Sequence, residues 1–155
     1  MKSQYVSILE GDDAWSSSQN IQKKISFLED PINNDCSMVF SKICIYNSKN
    51  KNNIAFLSPV QHSINKSKLT EDDVLSINGL NPLCNYSCCM FKTDILKMIP
   101  EDIFMSNQKF ISEIAIAFLC LRFGNLGFID EILTIYRIHS CGSYSSANNI
   151  QKLEL

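Results

Sequence analysis

The sequence predicts an α/β domain with a mixed β-sheet flanked by helices, and three features predict it. A β-rich run, Tyr5-Val6-Ser7-Ile8-Leu9, breaks into the polar turn Glu10-Gly11-Asp12-Asp13 and is followed by a helical repeat. Two extended stretches, from Cys36 to Tyr46 and over Ile54-Ala55-Phe56-Leu57, flank a polar run from Asn47 to Asn53 as the arms of a wide hairpin. A long apolar helix then precedes a last strong strand, and strands that alternate with helices are the mark of this class.

Each element has its own local reason. Tyr5 to Leu9 reads as a short buried strand. Ser16, Ser17 and Ser18 offer N-caps to a helix in which Ile21, Ile25 and Leu28 recur at helical spacing, until Asp30-Pro31 stops it. Strand, acidic turn and helix form the βα half of an α/β unit. Met38, Phe40, Ile43 and Ile45 support extended chain in the next segment. Thr70-Glu71-Asp72-Asp73 resembles a capping box with Asp73 where Glu is usual, so a short helix is expected through Ile77, ending at Asn78-Gly79. Tyr86 to Phe91 reads as a buried strand, and Thr93 as the cap of a short helix ending before Pro100. The longest helix, from about Asn107 to Phe123 with Gly124 as its stop, is apolar on most sides and therefore central. Gly127 to His139 is the last strand. The domain is expected to fill residues 1–140, with 141–155 a loose tail rich in Ser and Asn.

Composition narrows the function classes. A chain of 155 residues, 45% hydrophobic, with net charge −2, can bury a core and is no solvated coil. Its 14 basic and 16 acidic residues form no block, which argues against nucleic acid or an anionic membrane as partner. The run from Phe110 to Phe123 carries Glu113 and Arg122 and is shorter than the about 20 residues a membrane span needs. No secretory signal is expected at the start, where the apolar run meets Glu10 at once. An odd count of 7 cysteines, without a CxxC pair, points to reduced thiols in a cytosol.

Three features can carry chemistry. The turn Glu10-Gly11-Asp12-Asp13 puts carboxylates at the carboxyl end of a strand, where open α/β sheets bind ligands. Carboxylates suit Mg²⁺ or Mn²⁺, and an ion so held would neutralise a diphosphate. The alternative is a solvated turn with Asp13 near a helix N-terminus. In Tyr136-Arg137-Ile138-His139, alternation sends Tyr136 and Ile138 to one face for packing. Arg137 and His139 go to the other, a guanidinium suited to phosphate and an imidazole suited to a metal or a proton. A surface histidine and an Arg137 salt bridge are the plainer reading. Glu113, the acid of the long apolar helix, needs solvent, a partner or a cleft. The Cys84, Cys88 and Cys89 group lacks the ligand spacing of a zinc site and reads as core thiols.

Taken in order, four stretches resemble the second half of a family 2 glycosyltransferase of the GT-A fold. They are Tyr5 to Trp15, Ser87 to Lys92, Phe123 to Glu131 and the closing Tyr136-Arg137-Ile138-His139-Ser140, together spanning nearly the whole chain. The resemblance implies that Glu10, Asp12 and Asp13 fill the family's DxD-type motif. Asp12 would then be the metal ligand, and Glu10, in place of the usual Asp, would face the nucleotide sugar. Arg137 and His139 would stand near the diphosphate and the metal. Counting back eleven residues from Gly124 places Glu113 at the family's general base.

The same resemblance implies a Mn²⁺ or Mg²⁺ cofactor, a nucleotide-sugar donor and a glycan or lipid-linked acceptor. It implies inverting transfer in the cytoplasm, with the protein peripheral to the inner face of the membrane. The family's N-terminal nucleotide-binding βα units have no counterpart here, so a partial GT-A fold is expected, slow alone: a truncated product, one part of a split enzyme with a separately encoded N-terminal half, or a fragment of a longer reading frame. The free edge of the first strand is where such a half would lie. The rival readings are a non-catalytic interaction module that kept the fold, and a thiol or metal-binding protein built on the cysteine group.

Overall fold

Cys36 to Ser41 are buried on both sides, which a strand achieves only at the centre of a covered sheet. In the computed structural model, which describes residues 3–47, 54–77, 81–100 and 113–139, this segment opens β3 (Cys36–Asn47). The other strands are β1 (Tyr5–Ser7), β2 (Ala14–Trp15), β4 (Ile54–Leu57), β5 (Lys68–Leu69), β6 (Cys89–Lys92) and β7 (Asn125–Ile138). Helices α1 (Asn20–Glu29), α2 (Pro59–His62), α3 (Glu71–Ser76), α4 (Thr93–Met98) and α5 (Glu113–Leu121) accompany them. The sheet order is β1-β6-β3-β7-β2, with β4 against β3 and β5 against β7. Among the described residues only β3 and β7 pair in parallel, from Cys36↔Asn125 to Asn47↔Ile138, so the sheet is mixed as expected.

Alternation along β3 sorts the core into two layers. Val39 faces α1 with Leu28 and Met90, while Met38 and Phe40 face α5 with Phe91, Leu126, Phe128, Ile116 and Ala117. The helix stop at Gly124 has a steric cause. Its φ of +157° is one that side chains rarely adopt, and a Cβ there would collide with the Asp35 carbonyl oxygen. That carbonyl accepts Asn125 N at 2.9 Å and so starts β7 two residues before the predicted Gly127.

The β3–β4 hairpin and the Thr70 capping box form as predicted. Other boundaries move for identifiable reasons. The Ser16 hydroxyl donates to the Ile132 carbonyl at 2.7 Å, and α1 starts behind Gln19 with no side-chain cap. Thr93 is the first residue of α4 rather than its cap, because its amide donates to the Gln4 carbonyl at 2.9 Å beside the β1–β6 ladder. Tyr86–Cys88 is a 3-10 turn and not strand, since Ser87 spends its side chain and carbonyl on long-range contacts. β1 is a half-buried edge strand rather than a buried one, and Ile8 and Leu9 beyond it are exposed. The short strands β2 and β5 have no counterpart in the sequence reading. Expectations for the hairpin loop past Asn47, the Asn78-Gly79 helix end, residues 107–112 and the tail lie outside the described residues.

The α1 layer holds one polar anomaly. Lys24 is fully buried, its Nζ has no hydrogen-bond partner, and burial depresses its pKa. The unfolded chain takes up a proton that the folded one resists, so this group lowers stability as pH falls below about 10.4. Lys24→Met is expected to stabilise the protein by about 1–3 kcal/mol at pH 7 and to flatten the alkaline part of its pH dependence. Urea unfolding of both proteins at pH 7 and pH 10 checks this, and a less stable variant at pH 7 would show that the ammonium has a favourable environment.

Candidate functional site

Because β1, β3 and β7 run in one direction, the carboxyl ends of β1 and β7 meet at one end of the sheet. The acidic turn leaves β1 there and closes with Asp13 N donating to the Glu10 carbonyl at 3.1 Å. A Cβ at Gly11 would meet nothing within 4 Å, so the turn borders open space.

Asp13 fastens the turn. Its buried carboxylate accepts the Ser87 hydroxyl at 2.6 Å, the Asn85 amide and the Arg137 backbone N–H at 3.2 Å. Burial raises its pKa against the pull of these donors. The structure therefore gives Asp13, assigned by the resemblance to cofactor contact, a positioning part beneath the surface. Ser87 also accepts Glu10 N at 3.0 Å and so holds both ends of the turn. Cys84, at φ +66°, bends the chain just ahead of Asn85 and Ser87.

Asp12 points outward. Its Oδ2 lies 3.0 Å from His139 Nε2, both side chains are partly exposed, and its carbonyl accepts Arg137 Nε. The two motifs singled out at the strand ends thus come together as predicted. Glu10 is pushed up to about 7 by burial and by the neighbouring charges of Asp13, Glu113 and Asp12. Glu113 opens α5 in this neighbourhood, with Oε2 accepting Asn81 Nδ2 at 3.4 Å, and burial raises its pKa too. Tyr136 packs on the core as alternation predicts. It also lies close enough to Asp13, Asp12, Glu10 and Glu113 for their charges, after burial, to raise its pKa. Tyr86 is raised by burial and then by Glu113 among its neighbours.

Asn85, Tyr86 and Ser87 are site residues to which sequence reasoning gave no part in the site, and Tyr136 is one to which it gave packing alone. Ser87 opens one of the stretches that carry the resemblance and lies within the expected Tyr86–Phe91 strand, and nothing local signals its reach to Asp13.

The donor set decides what ion could be held. Among the described residues no group of three or more His, Cys, Asp or Glu side chains is arranged to hold a metal. One carboxylate and one imidazole side by side would supply two donors to a divalent ion, the carboxylate suiting Mg²⁺ or Mn²⁺ and the imidazole a softer ion. The cysteine group has another part. The buried Cys88 sulfur lies 2.8 and 3.1 Å from the Leu83 and Asn85 carbonyl oxygens, Cys89 is buried beside it, and burial pushes Cys84 up to about 12, so the group packs into the core. No family model matches the chain, and no curated protein matches it significantly.

Proposed function

We propose that this chain supplies the metal and acceptor side of a GT-A type glycosyltransferase centre, transferring a sugar with inversion from a nucleotide-diphosphate donor to a hydroxyl of a glycan or lipid-linked acceptor. The observation that carries the reading is the convergence of Glu10, Asp12, Glu113, Arg137 and His139 from three distant segments around Tyr136. In this reading Glu113, held by Asn81, takes the proton of the attacking hydroxyl. Arg137 keeps guanidinium N–H groups beyond Nε for a phosphate, and Asp13 with Ser87 keeps the turn in place. Asp12 and His139 would hold a Mn²⁺ or Mg²⁺ ion, which would supply charge neutralisation on the departing diphosphate.

Among the described residues β1 pairs on one side only, with β6, and apolar Ile8 and Leu9 follow it. That edge supports a partner that continues the sheet, and we assign it to a nucleotide-binding half that orients the donor. Free buried thiols suit a reducing cytoplasm, and no helix of the described residues is long and apolar enough to cross a membrane. The test is nucleoside diphosphate release from UDP-, GDP- and dTDP-sugars with Mn²⁺, using the chain alone and with a co-expressed nucleotide-binding half. Release that rises strongly in the pair supports the proposal. No release in either preparation contradicts it, and equal release in both removes the partner from it.

A further inference from the structure

Trp15 is the one tryptophan of the chain, and it is 36% exposed. It lies on β2 opposite Thr134 and so shares that residue's face of the sheet. Its Nε1–H donates to the Ser87 carbonyl at 3.3 Å, the same oxygen that accepts the Thr134 hydroxyl at 3.2 Å. Ser87 is also the residue that grips Asp13 and the Glu10 amide. One small residue thus fixes both the indole and the acidic turn. The ring is anchored at its polar edge, the residue stays 36% exposed, and Ser87 links it to the acidic turn.

An anchored aromatic ring loses little entropy on binding. Ring faces pack against the C–H side of a pyranose, and carboxylates accept hydrogen bonds from its hydroxyl rim. With Asp13 tied down beneath the surface, Glu10, Asp12 and Glu113 remain as acids at this end of the sheet, and without a metal they disfavour a free anion there. They leave a neutral polyhydroxyl ligand favoured. We infer that Trp15 is the acceptor platform of the site: the exposed part of its indole packs on a sugar ring of the acceptor while Glu10 accepts hydrogen bonds from its hydroxyls. This rests on the glycosyltransferase reading and narrows its acceptor to one that presents a saccharide rather than only a lipid chain. Trp15 is a specificity-determining residue, not a catalytic one.

A single tryptophan makes the test direct, because all indole emission comes from this position. The protein is titrated, without metal, with maltose, lactose, cellobiose and N,N′-diacetylchitobiose, and separately with uridine. At least one disaccharide is expected to give a saturable blue shift at millimolar concentration. Ligand-observed NMR then compares variants whose folding is verified by circular dichroism. Trp15→Leu is expected to weaken binding about tenfold, and Trp15→Phe, which keeps a ring, by only a few-fold. No shift with any disaccharide, a shift with uridine alone, or undiminished binding by Trp15→Leu would overturn the inference. Calorimetry with Mn²⁺ and UDP separates it from its premise. Disaccharide binding without Mn²⁺-dependent UDP binding keeps Trp15 as a saccharide contact and removes sugar transfer; the reverse result removes the Trp15 assignment alone.

Discussion

Glu113→Gln is expected to lower sugar transfer by about 10²-fold or more in an active preparation, with the donor KM nearly unchanged. Glutamine keeps the size of the side chain and can still meet Asn81, so the loss isolates the ability to take a proton. The pH profile adds a second check. Burial raises the Glu113 pKa, and only its ionised form accepts the hydroxyl proton. The rate should therefore climb with pH through a value above the ordinary carboxylate range, and Glu113→Gln should lose that limb. Nucleotide release measured from pH 4 to pH 8 reads both effects. Turnover close to that of the unaltered protein would move the base elsewhere, with Glu10 the next carboxyl in the same neighbourhood.

Asp13→Ala is expected to destabilise the fold by about 3–5 kcal/mol, the cost of breaking a buried charged group away from its partners. The Ser87 hydroxyl, the Asn85 amide and the Arg137 N–H would each lose an acceptor inside the protein. The damage should be local as well as global. Backbone hydrogen exchange at Arg137 should accelerate more than exchange in the β3–β7 ladder, as the turn detaches from the last strand. Asp13→Asn, which retains one acceptor oxygen, should lose less. Chemical unfolding gives the first quantity, and a loss below about 1 kcal/mol in Asp13→Ala would mean that the carboxylate does not hold the turn.

Features with a local cause were legible in the sequence, and those made by distant contacts were not. The Thr70–Asp73 capping box depends on neighbours three residues apart and forms where expected, and β7 follows a β-rich run whose body was legible although the Asp35 carbonyl starts the strand two residues early. Asp12 and His139 could be brought together on paper because each ends a strand, and strand ends share a rim. The Asp13 tether spans 72 and 74 residues to Asn85 and Ser87, and neither partner stands out from a polar turn in the sequence. Tyr86–Cys88 departs from the strand reading for the same reason, since the contacts of Ser87 outweigh β propensity. Lys24 was hidden by a different effect. Its neighbours Ile21, Ile25 and Leu28 announce the apolar face of α1, while a lysine within that pattern is ordinarily assigned to solvent.

The most direct test of the proposed centre is calorimetric titration of Mn²⁺ into the protein with and without UDP, for the unaltered chain and for Asp12→Asn. Asp12 and His139 supply two donors between them, so Mn²⁺ alone should bind weakly and UDP, by adding phosphate oxygens, should tighten it at least tenfold. Asp12→Asn should abolish that enhancement while the fold, held through Asp13, remains intact. The same enhancement in Asp12→Asn, or none in the unaltered chain with UDP, GDP or dTDP, would contradict a metal–diphosphate site at this end of the sheet.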